Sequence, residues 1–124
     1  MNVAAVGLGG ALGSIARYGV NEAALRLAPA TFPWATLTVN VVGSFAMGAL
    51  AVVVLTRIGL SMPVKLFAMT GLLGGFTTFS AFSLDTVSLI ERGEVATALL
   101  YAGASVVLAI GAFIAGQAVA RTMM

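Results

Sequence analysis

The chain divides into four long apolar runs with most of its few charged residues outside them, and that spacing leaves few folds open. The runs cover about 3–25, 34–55, 64–90 and 95–120. Arg26 with Pro29 and Pro33, then Arg57 to Lys65, then Glu91 to Glu94, separate them. About 20 apolar residues suffice to cross the roughly 30 Å hydrocarbon layer as a helix. Backbone in lipid must satisfy its own hydrogen bonds, which restricts such a run to a helix. The expected fold class is an all-α integral membrane protein, a single four-helix transmembrane domain over 1–124.

Composition narrows the chemistry. Charged residues make up 8% of the chain, against about a quarter in soluble proteins, and the mean hydropathy is +1.11. With no cysteine and no histidine, disulfides, thiolate metal sites and imidazole chemistry are excluded. No catalytic group stands out, and an enzyme is not expected. Six Lys/Arg against four Asp/Glu is too small a surplus to imply nucleic-acid binding. The first residues lack the basic leader of a secretory signal, so the first run reads as a retained span.

If the spans alternate, Arg57, Lys65 and Arg121 lie on one side and Arg17, Arg26 and Arg92 on the other. The positive-inside rule then sets three charges against three and specifies almost no orientation. Such a chain can insert both ways, which permits antiparallel dimers. Gly9 and Gly13, Ser44 and Gly48, and Ala112 and Gly116 stand at the spacing that brings helix backbones close in lipid. Four thin helices leave little room for a pore inside one subunit, so a homodimer within the bilayer is the expected working unit.

The third run is the unusual one. A continuous helix over 64–90 would reach about 40 Å, and its middle reads Gly71-Leu72-Leu73-Gly74-Gly75-Phe76-Thr77-Thr78-Phe79-Ser80-Ala81-Phe82-Ser83. The glycine pair predicts a break near Gly74–Thr78. Backbone freed at membrane depth must be buried in protein or line a cavity, so the segment reads as an ion or substrate site. Its threonine and serine hydroxyls either bond back to the preceding turn or join freed carbonyls in an oxygen cluster suited to Na⁺. Phe76, Phe79 and Phe82 recur every three residues, so they are expected to share one helix face. They are packing residues, or their positive ring edges line an anion path.

Elsewhere, Asn40 is either interhelical glue or an N–H donor to an anion. Arg17 and Asp85 are the charges drawn nearest the membrane, with a vestibule or structural role. Tyr101, Ser105 and Gln117 form a sparse polar stripe on the fourth span.

Three stretches together carry a family likeness: Gly9-Gly10-Ala11-Leu12-Gly13-Ser14-Ile15-Ala16-Arg17-Tyr18, Thr38-Val39-Asn40-Val41-Val42-Gly43-Ser44-Phe45, and Gly74 through Phe82. In order and over the whole chain they closely resemble the CrcB, or Fluc, family of bacterial fluoride channels. The resemblance implies an antiparallel, dual-topology homodimer in the bacterial inner membrane, passively exporting fluoride through two pores and so relieving its toxicity. It also implies a structural, untransported Na⁺ held by backbone carbonyls of both broken third helices, here those of Gly74 and Thr77. Phe79 and Phe82 would supply the fluoride-lining rings, Asn40 and Ser80 polar donors, and Tyr101 and Ser105 further pore partners. Ala81 departs from the many relatives that carry Thr there, removing a hydroxyl from the polar track.

A small proton-coupled multidrug exporter is the alternative, being likewise four-spanned and inserted in both orientations. Such exporters carry a carboxylate within the first span, whereas the acid here is Glu22, at its far end. A non-transporting assembly protein would explain the glycine seams but has no need of a broken third span.

Overall fold

The computed structural model describes residues 1–29, 31–57 and 59–124. The helices are α1 (Asn2–Leu27), α2 (Trp34–Thr56), α3 (Met62–Lys65), α4 (Gly74–Phe76), α5 (Phe79–Glu91) and α6 (Val95–Met123), with a π-helical stretch, Leu66–Leu73, between α3 and α4. Grouped by span, Asn2–Leu27, Trp34–Thr56, Met62–Glu91 and Val95–Met123 are each long and apolar enough to cross a membrane. The all-helical, four-span expectation is met, because hydropathy and the demand for internal hydrogen bonds act locally along each run.

Two close seams organise the packing. On one side α2 lies along α6; on the other α1 lies along the π-helical stretch and α4. Between α2 and α6 the contact is backbone on backbone: a Cβ added to Gly48 would land on the Phe113 carbonyl, and one added to Gly116 on that of Phe45. Association in lipid depends on such close approach rather than on a hydrophobic drive. In the other seam Gly9 and Gly71 face each other, and a Cβ on Gly71 would stand 2.9 Å from the Gly9 Cα. The π-helical stretch was not legible in the sequence; it presents the Gly71 backbone to α1.

The third span breaks within the expected Gly74–Thr78 stretch, at its threonines rather than its glycines. Gly74 and Gly75 are helical, and the break falls at Thr77 (φ −84°, ψ 158°) and Thr78 (φ −154°, ψ 123°), both extended. Gly75 is needed instead for contact with α1, since a Cβ there would meet the Gly10 carbonyl oxygen at 2.7 Å. Helix restarts at Phe79 because Thr78 is an N-cap, its Oγ1 accepting from the Ala81 N–H at 3.1 Å. At the far end, Gly93 (φ +81°) completes a Schellman turn in which Glu94 N–H reaches the Leu89 carbonyl at 2.9 Å and Gly93 N–H that of Ile90 at 2.9 Å.

The break also corrects the aromatic face. Phe79 and Phe82 remain paired, their ring centroids 5.4 Å apart. Phe76, on the other side of the break, turns its ring toward Gly43 of α2, where an added Cβ would stand 3.3 Å from Phe76 Cδ2.

Candidate functional site

Asn40, about two turns into α2, faces the break and exchanges two hydrogen bonds with it. Its Nδ2 donates to the Thr78 carbonyl at 2.9 Å, and the Thr78 N–H donates to its Oδ1 at 2.8 Å. The amide thus substitutes for a helical turn, satisfying backbone that the break exposes. One N–H of Asn40 Nδ2 remains uncommitted by this pair. In sequence terms the residue is glue, yet it also lines the space beside the break.

That space is a cavity of about 300 Å³, and it gathers several of the residues singled out from the sequence: Asn40, Thr77, Phe79, Phe82 and Ser105. None of its described lining residues is charged. Ser105, 6% exposed, has a buried Oγ without a hydrogen-bond partner among the described residues. A buried orphan hydroxyl carries a desolvation cost unless something binds it. Phe79 is 76% exposed in the single chain and leaves the cavity open on its side. Ser44, Thr78 and Ala109 also line it. On sequence grounds Ser44 belongs to a helix seam and Thr78 to the hydroxyl cluster, while nothing in the pattern marks Ala109.

Other sequence candidates lie elsewhere. Ser80 is exposed and outside the lining, its Oγ 3.3 Å from Thr78 Oγ1. Tyr101 is fully buried behind Phe82, with centroids 5.3 Å apart, and its hydroxyl donates to Asp85 Oδ2 at 3.1 Å. Phe32 meets the same tyrosine edge-on at 5.5 Å, so Tyr101 is clamped between rings. Arg17 and Asp85 share a separate cleft of about 360 Å³ with Ser14, Asn21, Thr36 and Ala81. The hydroxyl absent at Ala81 is therefore missing from this cleft rather than from the aromatic cavity. Thr78 borders both spaces.

The carbonyls at the break divide into used and unused. Arg17 Nε donates to the Gly75 carbonyl at 3.1 Å, and both the N–H and the hydroxyl of Thr77 return to the Leu73 carbonyl, at 3.0 and 2.9 Å. Gly75 thus drops out of the freed set expected between Gly74 and Thr78. A helix would pair the Gly74 carbonyl with the Thr78 N–H and the Thr77 carbonyl with the Ala81 N–H. Those two donors are taken by Asn40 Oδ1 and Thr78 Oγ1. Gly74 and Thr77 are accordingly left with hard acceptor oxygens of the type that binds Na⁺ at broken helices.

Four apolar spans, a third span interrupted at its middle and an uncharged cavity beside the interruption define a multi-pass membrane protein whose polar groups converge at a helix break. The chain belongs to the family described as CrcB-like protein, Camphor Resistance (CrcB), whose model matches residues 4–117. It is 59% identical over 116 residues to a protein of Paracoccus denitrificans, covering 94% of this chain and 91% of that one. Against a Rhizobium etli protein the identity is 53% over 118 residues, 95% of this chain and 94% of the relative. Against one from Agrobacterium fabrum it is 50% over 123 residues, 99% and 98% of the two chains. All three relatives bear the name Fluoride-specific ion channel FluC.

Proposed function

We propose that this chain forms a passive fluoride channel in the bacterial inner membrane, working as an antiparallel homodimer and letting fluoride leave the cell down its electrochemical gradient. The observation that carries this reading is the uncharged cavity shared by Asn40, Phe79, Phe82 and Ser105. Fluoride is small and strongly hydrated, so a path through lipid must replace its water with directed donors. The free N–H of Asn40, the orphan hydroxyl of Ser105 and the positive ring edges of the two phenylalanines are such donors. None is a fixed cation, and conduction needs binding weak enough for release.

The open side of the cavity, where Phe79 is exposed, is the side a second subunit would close. The even distribution of Lys and Arg supports insertion in both orientations. Gly74 and Thr77, whose carbonyls lack helical donors, fit a central Na⁺ shared between subunits. When bound, that ion supplies fixed positive charge at the dimer axis and is not transported. Tyr101 and Asp85, joined behind Phe82 and outside the cavity lining, would reach fluoride only beyond that ring, while Ser80 would act only through reorientation toward the partner.

Ion-selective electrodes on liposomes holding purified protein test the reading. Fluoride should leave without a proton gradient while chloride stays. Equal chloride efflux, or a requirement for a pH gradient, would reject the channel and favour a proton-coupled exporter.

A further inference from the structure

The twin hydrogen bond between Asn40 and Thr78 has an effect at Gly74, four residues before Thr78. Were the third span continuous, the Thr78 N–H would belong to the Gly74 carbonyl. Asn40 Oδ1 holds it at 2.8 Å instead, while Nδ2 secures the Thr78 carbonyl at 2.9 Å. We infer that Asn40 is a positioning residue for the central cation: by keeping the Thr78 N–H, it prevents the Gly74 carbonyl from closing into a helical bond and leaves that oxygen free as a ligand. The inference rests on the Na⁺ reading above and extends it to a side chain 38 residues away on another helix.

The physical reason is the cost of an unpaired backbone N–H away from water. Without an acceptor on α2, the partner that a continued helix gives the Thr78 N–H is the Gly74 carbonyl, reached by turning Thr77 from ψ 158° into the helical region. That rotation would remove the Gly74 oxygen from service and swing the Thr77 carbonyl away from its present direction. Asn40 thereby serves both halves of the site through different atoms. Oδ1 holds the cation cradle open, and Nδ2 keeps one hydrogen that the Thr78 carbonyl does not use, on a residue that lines the cavity with Phe79.

The two roles separate experimentally. The thermal unfolding midpoint of the purified dimer is titrated with Na⁺ against N-methylglucamine at constant ionic strength, and fluoride flux is measured in parallel. Asn40→Asp keeps an acceptor oxygen for the Thr78 N–H, so its Na⁺ response should match that of the unmutated protein even as flux falls. Asn40→Leu keeps the bulk without an acceptor, and should need at least tenfold more Na⁺ for half of the response. Asn40→Ser, too short to reach Thr78, should behave as Asn40→Leu does and serves if the leucine variant does not fold. Phe79→Ile should lose flux and keep its Na⁺ response. Normal Na⁺ response in the leucine or serine variant would overturn the inference, as would a loss in Asn40→Asp equal to that in Asn40→Leu. An unmutated protein indifferent to Na⁺ would instead refute the cation reading itself, and the inference with it.

Discussion

Arg17 Nε lies 3.1 Å from the carbonyl oxygen of Gly75 and donates to it, a bond spanning 58 residues that ties α1 to the last turn before the break. The half-buried guanidinium is thus held by a backbone acceptor that the break has released. Hydrogen bonds to charged groups are worth about 1.5–3 kcal/mol. Arg17→Leu should lower dimer stability by about that amount, and Arg17→Lys by less, as read from unfolding in detergent. Unchanged stability in Arg17→Leu would show that the bond is idle.

Phe79 and Phe82 should part in stability while agreeing in function. Swaps that preserve apolar volume usually cost under about 1.5 kcal/mol. Phe79→Ile, at an exposed ring, should leave folding intact, whereas Phe82→Ile also loses the contact with Tyr101 at 5.3 Å and should unfold earlier. Fluoride flux should collapse in both folded dimers. Near-normal rates in liposomes would move the path away from these rings.

Gly74 offers a cleaner test of the proposed dimer axis than its neighbours. Within one chain a Cβ there meets only the Met69 carbonyl, at an ordinary 3.5 Å. Gly74→Ala should therefore fold, and a loss of Na⁺-dependent stabilisation would report what the partner subunit brings to that face. Thr77→Val forfeits only the local bond from Oγ1 to the Leu73 carbonyl, about 1 kcal/mol, and should keep the Na⁺ response. The reverse ranking would assign the site to side-chain rather than backbone oxygens.

Orientation should be easy to tip. Cysteine or epitope tags at the carboxyl terminus should be reachable from both sides of intact cells, and one or two added lysines in the loop between α2 and α3 should bias the population to one side. A single orientation in the unmutated chain would exclude the antiparallel dimer.

At the α2–α6 seam, Gly48→Ala should cost about 1–3 kcal/mol by overpacking, because the new methyl falls on the Phe113 backbone. Gly103→Ala on the same α6, where nothing lies within 4 Å, should be silent in the same melt.

Four helical spans, their approximate ends and the polar middle of the third were determined by the sequence alone, since a run in lipid has no local alternative to the helix. Small residues at Gly9, Gly48 and Gly116 likewise announced close seams. Which helices those seams join, and where the third span opens, were decided only in three dimensions. The glycine pair at Gly74 and Gly75 looked like the weak point by intrinsic preference. The break nevertheless falls at Thr77 and Thr78, because Asn40 on α2 and the Thr78 hydroxyl compete for backbone donors that a helix would otherwise keep. The acceptor for Arg17 and the burial of Tyr101 behind Phe82 have the same origin. Each depends on a partner many residues away, and no periodicity within a single span encodes it.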